Sequence, residues 1–319
     1  MIFDAHCHIG TDVAKESIDG LVETYKEICL KEDLRLVLMS TNHIDLEYIT
    51  KFASIPQVTP SFGVHPWYSH FFTLDQVFDK QKHYSQIFKK ESVDNELLTL
   101  LPDPIDFHQH LSMIKQLIPK YQKPIVIGEI GLDKLFRIPT SGFYGNPQCC
   151  GKEQDIRLTN YKVNMDHQKR IFIEQLKVAF ELNLSISIHN VKTSGVIHEI
   201  LLKVLKDYPN YVGSICLHSY TGSIETLELF IKTFKKSKIH FFISLSSFIN
   251  NNAKRDELEN VLKIIPDESV LIETDITIEN HNPMEKLLEI RELVLRYKNW
   301  SNDRILIENY YRYLQKHDE

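Results

Sequence analysis

Pro124-Ile125-Val126-Ile127-Gly128-Glu129 is the stretch on which the fold turns. Its apolar residues follow one another without alternation, as expected of a strand covered on both faces, and such strands belong to parallel sheets. Working outward, seven further short runs read as strands: 1–8, 35–40, 58–65, 184–189, 212–218, 239–245 and 270–275. Helical spacing fills the intervals at 18–30, 167–182, 195–207, 223–235, 255–265, 283–297 and 302–314. Residues 74–121 are mostly helical, with breaks near Pro102 and Pro104. Strands alternating with helices indicate a parallel sheet. Eight such units favour a closed barrel over an open doubly wound sheet, and no GxGxxG or GxxxxGK[ST] argues for a nucleotide fold. The expected fold class is α/β: a (β/α)8 TIM barrel, one domain over 1–319, with a long loop insertion after the fourth strand. That insertion, about 134–166, carries Pro139, Gly142, Gly145, Asn146-Pro147 and Cys149-Cys150-Gly151 and has little periodicity, so it reads as a lid or an unstructured excursion.

Composition narrows the class. Of 319 residues, 43% are hydrophobic and 25% charged, as in ordinary globular proteins. A net charge of -6 gives no global attraction for nucleic acid, so phosphate binding would need a local site or metal ions. Cys7, Cys29, Cys149, Cys150 and Cys216 are odd in number and lack CxxC spacing, against a disulfide framework or a thiolate zinc site. Cys149-Cys150 reads as two free thiols rather than a redox pair. No apolar run approaches the ~20 residues of a bilayer span, and the strand-like start leaves no room for a signal peptide. A cytoplasmic or nuclear setting without membrane association is the expectation, and no protein partner can be read from the chain.

The strand ends carry the chemistry. The first closes on His6 and His8, which share one strand face while Cys7 points away. Later runs close on His65, Glu129, His189, His218 and Asp275. In a parallel barrel all strand C-termini open on the face that holds the active site, so seven candidate groups converge there. Four histidines and two carboxylates suit two divalent ions, Mg2+, Mn2+ or Zn2+. His6 and His8 are assigned to one and His189 and His218 mainly to the other. Glu129 is expected to bridge them, and Asp275 to be a ligand that also accepts the proton of the attacking water. Such a pair clamps the attacking and leaving oxygens of a phosphoryl displacement.

Read together, Asp4-Ala5-His6-Cys7-His8, Gly63-Val64-His65-Pro66, Gly128-Glu129-Ile130-Gly131-Leu132-Asp133, Ile188-His189, His218-Ser219-Tyr220-Thr221-Gly222 and Glu273-Thr274-Asp275 resemble the ordered signatures of TatD-type metal-dependent deoxyribonucleases. Asn309-Tyr310-Tyr311-Arg312-Tyr313-Leu314 resembles that family's C-terminal segment. The resemblance implies an amidohydrolase-superfamily barrel, a divalent metal site and phosphodiester hydrolysis, often exonucleolytic on DNA. It also implies that His65 lies by the substrate phosphate and not among the metal ligands. The substrate is therefore expected to be nucleic acid, DNA foremost, or another phosphodiester. Two positions depart from the pattern. Asn190 stands where members usually carry a basic residue, and Ile276-Thr277 where they usually read Ala-Pro, which points to a divergent fungal branch. Two alternatives remain open: an amidase or lactonase, whose lysine-bridged relatives would carry Lys at Glu129, and a non-catalytic scaffold retaining the metal site.

Other residues have plainer readings. His43, His70, His83, His108, His110, His167, His198, His240, His281 and His317 read as surface or core groups. Glu273 reads as either a group that orients a histidine or a buried polar partner. Trp67 and Tyr68 read as base-stacking groups or as cover for the barrel end.

Overall fold

The computed structural model describes residues 1–149, 155–250, 255–280 and 282–315. Cys150, His281 and His317 lie outside these ranges, and with Cys150 the reading of the Cys149-Cys150 pair. Eight strands form one sheet in chain order: β1 (Ile2–His8), β2 (Leu34–Met39), β3 (Val58–Phe62), β4 (Val126–Asp133), β5 (Ser185–Val191), β6 (Ser214–Leu217), β7 (His240–Ser246) and β8 (Val270–Glu273). Every neighbouring pair is parallel. The seam closes just past β8. Asp275 N–H donates to the His6 carbonyl at 3.0 Å, His8 N–H to Ile276 O at 2.8 Å, and Ile278 N–H to His8 O at 2.9 Å.

Strand chemistry follows from this closure. In β1 the odd positions face the helices: Phe3 stacks on Tyr310 of helix Arg304–Tyr313 at 4.4 Å, and Cys7 Sγ meets Val37 O. Burying a side chain such as Phe3 contributes about 1.5–3 kcal/mol. Asp4, His6 and His8 take the opposite face, into the barrel. Helix ends are set by local chemistry. Asn282 Oδ1 accepts Met284 N–H at 3.0 Å, Pro283 opens the helix Pro283–Lys298, and Asn299 at φ 54° closes it.

Two expectations need correction. The fourth strand does not end on Glu129 but continues to Asp133, because Ile130 and Leu132 sustain its pairing with Ile188 and Asn190. The insertion is not structureless. Ile138 and Thr159 pair across it, with Ile138 N–H on Tyr161 O at 3.0 Å and Thr159 N–H on Ile138 O at 2.9 Å. Phe136, Ile138 and Val163 pack with Tyr84, Ile87, Phe88, Val93, Leu97 and Leu101 as a satellite hydrophobic cluster. The insertion and the segment after β3 thus bury each other's apolar side chains, and the helix Met165–Glu181 resumes the barrel.

Candidate metal centre

The centre is built where two strands depart from regular pairing. β1 shifts register against β2 between Asp4 and Cys7, around His6; β4 shifts between Ile127 and Ile130, around Glu129. Such irregularities re-aim side chains, and here they turn His6 and Glu129 toward each other. One Glu129 oxygen, Oε2, lies 3.3 Å from His6 Nε2 and 3.3 Å from His8 Nε2. The other, Oε1, lies 2.7 Å from His218 Nε2, 2.8 Å from His189 Nδ1 and 3.2 Å from His65 Nε2. Asp275, two residues beyond β8 and at φ 58°, places Oδ1 3.3 Å from His8 Nε2 and 3.8 Å from His6 Nε2. The carboxylate of Glu129 therefore stands between two sets of histidines.

The donor set fits divalent metal. Three groups of potential ligand atoms each lie within 4.8 Å of one another: His6, Glu129 and His218; His6, His8 and Asp275; His65, Glu129 and His189. His8 Nδ1 is buried without a partner among the described residues. Imidazole nitrogen with carboxylate oxygen suits Zn2+, Mn2+ or Mg2+ in differing proportion.

Tautomers sharpen the assignment, since the partner of one ring nitrogen fixes what the other offers. His6 Nδ1 lies 2.8 Å from Ser187 Oγ, His218 Nδ1 3.4 Å from Glu273 Oε1, and His189 Nε2 3.4 Å from Asp133 Oδ2. Each of these histidines can give a proton to its outer partner and keep a lone pair facing Glu129. His65 is the reverse: its Nδ1 accepts Trp67 N–H at 3.1 Å, which leaves the proton on Nε2, facing Glu129. Neutral His65 is thus a donor at the site, not a lone-pair ligand.

Electrostatics agree with this division. Burial holds the His65 pKa down, to about 4, and it stays neutral. Burial opposes ionisation of Glu129, yet the surrounding His65, His218 and His6 hold its pKa well below the usual carboxylate range. Asp275 is likewise held at about 2, burial being overcome by His8, His218 and His6. Burial works against charge on His218, but Glu129 and Glu273 raise its pKa well above the ordinary value. The carboxylates favour protons on His8, His189 and His218, whereas burial keeps His6 and His65 neutral.

His6, His8, His65, Glu129, His189, His218 and Asp275 all meet at this mouth. Of the groups that support them, sequence reading singled out Glu273 and missed the others. Asp4 accepts His6 N–H at 3.1 Å and Thr274 N–H at 2.9 Å, tying β1 to β8 inside the barrel. Asp133 Oδ2 accepts Trp67 Nε1–H at 2.7 Å, and its Oδ1 accepts the amides of Leu135 and Phe136 at 2.7 and 2.9 Å. Asp133 stood within a quoted motif, but a strand ended at Glu129 left it in a loop. Glu273 takes the orienting role through His218 and the Ser219 amide, the latter at 2.8 Å. Trp67 stacks on Phe136 at 5.3 Å, so one indole face serves packing. Asn190 is buried and bonds Ser194 Oγ at 2.7 Å, bracing the loop after β5.

A closed parallel barrel whose C-terminal mouth gathers histidines around two carboxylates defines a metal-dependent hydrolase. Residues 3–306 match the model of the family described as TatD related DNase, and the chain belongs to that family. It is 36% identical over 293 residues to an uncharacterized deoxyribonuclease of Saccharomyces cerevisiae, covering 88% of this chain and 85% of the relative. It is 30% identical over 310 residues to the Cut9-interacting protein scn1 of Schizosaccharomyces pombe, covering 86% of each. These relatives agree with the expected fungal branch. Among solved structures, a TatD homologue from Escherichia coli superposes with a TM-score of 0.62 at 18% identity, covering 99% of this chain and 98% of that one. Among the described residues no helix is long and apolar enough to cross a membrane.

Proposed function

We propose that this hydrolase cleaves phosphodiester bonds of DNA with two divalent ions held at the barrel mouth. The reading rests above all on Glu129, whose two oxygens face different histidine sets. His6, His8 and Asp275 would hold one ion and His189 and His218 the other, with Glu129 shared. When bound, the ions supply Lewis acidity toward phosphoryl oxygens and lower the pKa of water. Asp275 is the carboxylate that takes the proton from the attacking water, because its side chain is 17% exposed against 3% for Glu129. His65 Nε2–H donates to a non-bridging phosphate oxygen, as its tautomer allows. Ser187, Glu273 and Asp133 hold the three ligand histidines in their ring orientations. The name of the Saccharomyces cerevisiae relative supports DNA as the substrate.

The test is elemental analysis of the purified protein joined to DNA hydrolysis with Mg2+, Mn2+ or Zn2+. Stoichiometric metal and metal-dependent cleavage are expected, with Glu129→Ala and Asp275→Ala folded but inactive. No stoichiometric metal under any of the three conditions, or activity retained in both variants, overturns the reading.

A further inference from the structure

The mouth of the barrel is electrically lopsided. The loops at the seam carry Asp12 and Glu279, the latter accepting Gly10 N–H at 2.9 Å. The opposite side, where β4 and β5 end, carries Lys134, Arg137 and Lys192, all exposed. None of these three forms an ion pair among the described residues, so their charge is not neutralised locally. Lys134 and Lys192 are brought side by side by strand register. Asp133 pairs with Val191, and Lys134 N–H donates to Val191 O at 3.1 Å. Arg137 follows the turn that Asp133 Oδ1 closes over Leu135 and Phe136. Leu135, 57% exposed, adds apolar surface among the cations.

This edge adjoins the centre directly. Asp133 touches His189, and Lys192 stands three residues beyond it, roughly 10 Å of extended chain. Among the described residues, the far part of the insertion makes its contacts on the other side of the mouth. It crosses past β3 to β1, where Thr11 Oγ1 donates to Gly145 O at 3.0 Å and Tyr68 OH to Tyr144 O at 3.1 Å. Tyr144 and Gly145 thus pack over the β1–β3 side of the mouth, away from the β4–β5 edge.

We propose that Lys134, Arg137 and Lys192 form a phosphate-backbone subsite that guides a single polynucleotide strand from the β4–β5 edge to the metal centre. The inference rests on the phosphodiesterase reading and extends it, since a subsite some 10 Å from the ligands serves a substrate with several phosphates. A single strand fits better than a duplex because His6, Glu129 and His218 are buried below the rim. Three phosphate contacts on a chain of net charge -6 provide a local, salt-sensitive attraction that the whole molecule lacks.

The test is binding of a fluorescein-labelled phosphorothioate oligothymidylate to the full-length, metal-loaded protein across a salt series. The variant is K134Q/R137Q/K192N, asparagine being chosen because Lys192 has φ 56°. A second variant, K203Q/K206Q/K236Q, removes as much charge from exposed helix ends elsewhere. Three lost contacts should flatten the slope of log K against log salt by about 2, equivalent to roughly 100-fold weaker binding at 0.1 M salt relative to 1 M. The second variant should match wild type, and equal thermal melts show that all three proteins are folded. An unchanged slope in the first variant, or an equal loss in both, overturns the subsite. Hydrolysis of bis(p-nitrophenyl) phosphate by wild type is measured in parallel. Its absence with every metal counts against the phosphodiesterase reading, whereas its presence beside an unchanged slope counts against the subsite alone.

Discussion

Replacing Asp133 with asparagine changes one atom in kind and leaves the side chain's shape. Oδ1 is held by two backbone amides, at 2.7 and 2.9 Å, so the asparagine carbonyl stays there and its amide nitrogen takes the place of Oδ2. A donor then faces two donors, Trp67 Nε1–H and the outer nitrogen of His189, which lie 2.7 and 3.4 Å from Oδ2 in the native chain. Leaving a buried donor unpaired costs about 1–3 kcal/mol of stability. Losing the acceptor behind a metal-binding histidine costs typically 10–100-fold in metal affinity, about 1.4–2.8 kcal/mol. Trp67→Phe removes the indole donor and part of the stack on Phe136 but keeps the carboxylate on His189, so it should lose stability while holding metal nearly as wild type does. Calorimetric titration with Mn2+ and metal-free thermal melts measure the two effects separately. If Asp133→Asn binds Mn2+ as tightly as wild type, His189 is not being oriented through Asp133, and the reasoning from its tautomer fails.

Two further outcomes follow from the packing. Burial holds the pKa of His43, His110 and His167 down to about 4 and that of His70 to about 3. These histidines stay neutral in the fold, while the unfolded chain takes up protons as pH drops below about 6.5. Stability should therefore be intact above that pH and fall between 6.5 and 4 by up to about 1.4 kcal/mol per pH unit for each. A urea midpoint flat across that window would refute the account. His110→Phe, among Phe72 and Phe107, should make the decline less steep. At Gly131, φ is 152° and an added Cβ would lie 2.0 Å from His189 O. Gly131→Ala should thus force β5 away from β4 and lower both melting temperature and bound metal, and unchanged elemental content would contradict it.

The barrel and the candidate ligands gathered at its mouth were legible because they rest on periodicity and residue type. Apolar runs such as 36–39 and 215–217 announce buried strands, and a histidine or carboxylate at the end of several runs announces a shared mouth. What supports the ligands was less visible, because it depends on contacts between distant parts of the chain. Asp4 reaches Thr274, and Ser187 reaches His6, without any local pattern that marks either pairing. The continuation of β4 past Glu129 was obscured by Gly128 and Gly131, which sit around the irregular register. The satellite cluster escaped notice for a similar reason. Phe136 and Ile138 look like scattered apolar residues in a loop until Tyr84 and Leu97 are brought against them.

The seam has a consequence for how the chain comes to work at all. His6 and His8 are synthesised well before Asp275, yet the three meet across hydrogen bonds that join β1 to the segment after β8. A nascent chain that has made its first seven strands holds half a clasp and nothing to fasten it to. The corner proposed to hold an ion is therefore completed only when translation has delivered the eighth strand and the residues after it. A truncated product would be a barrel without its closing stave, lacking the Asp275 carboxylate that stands beside His6 and His8.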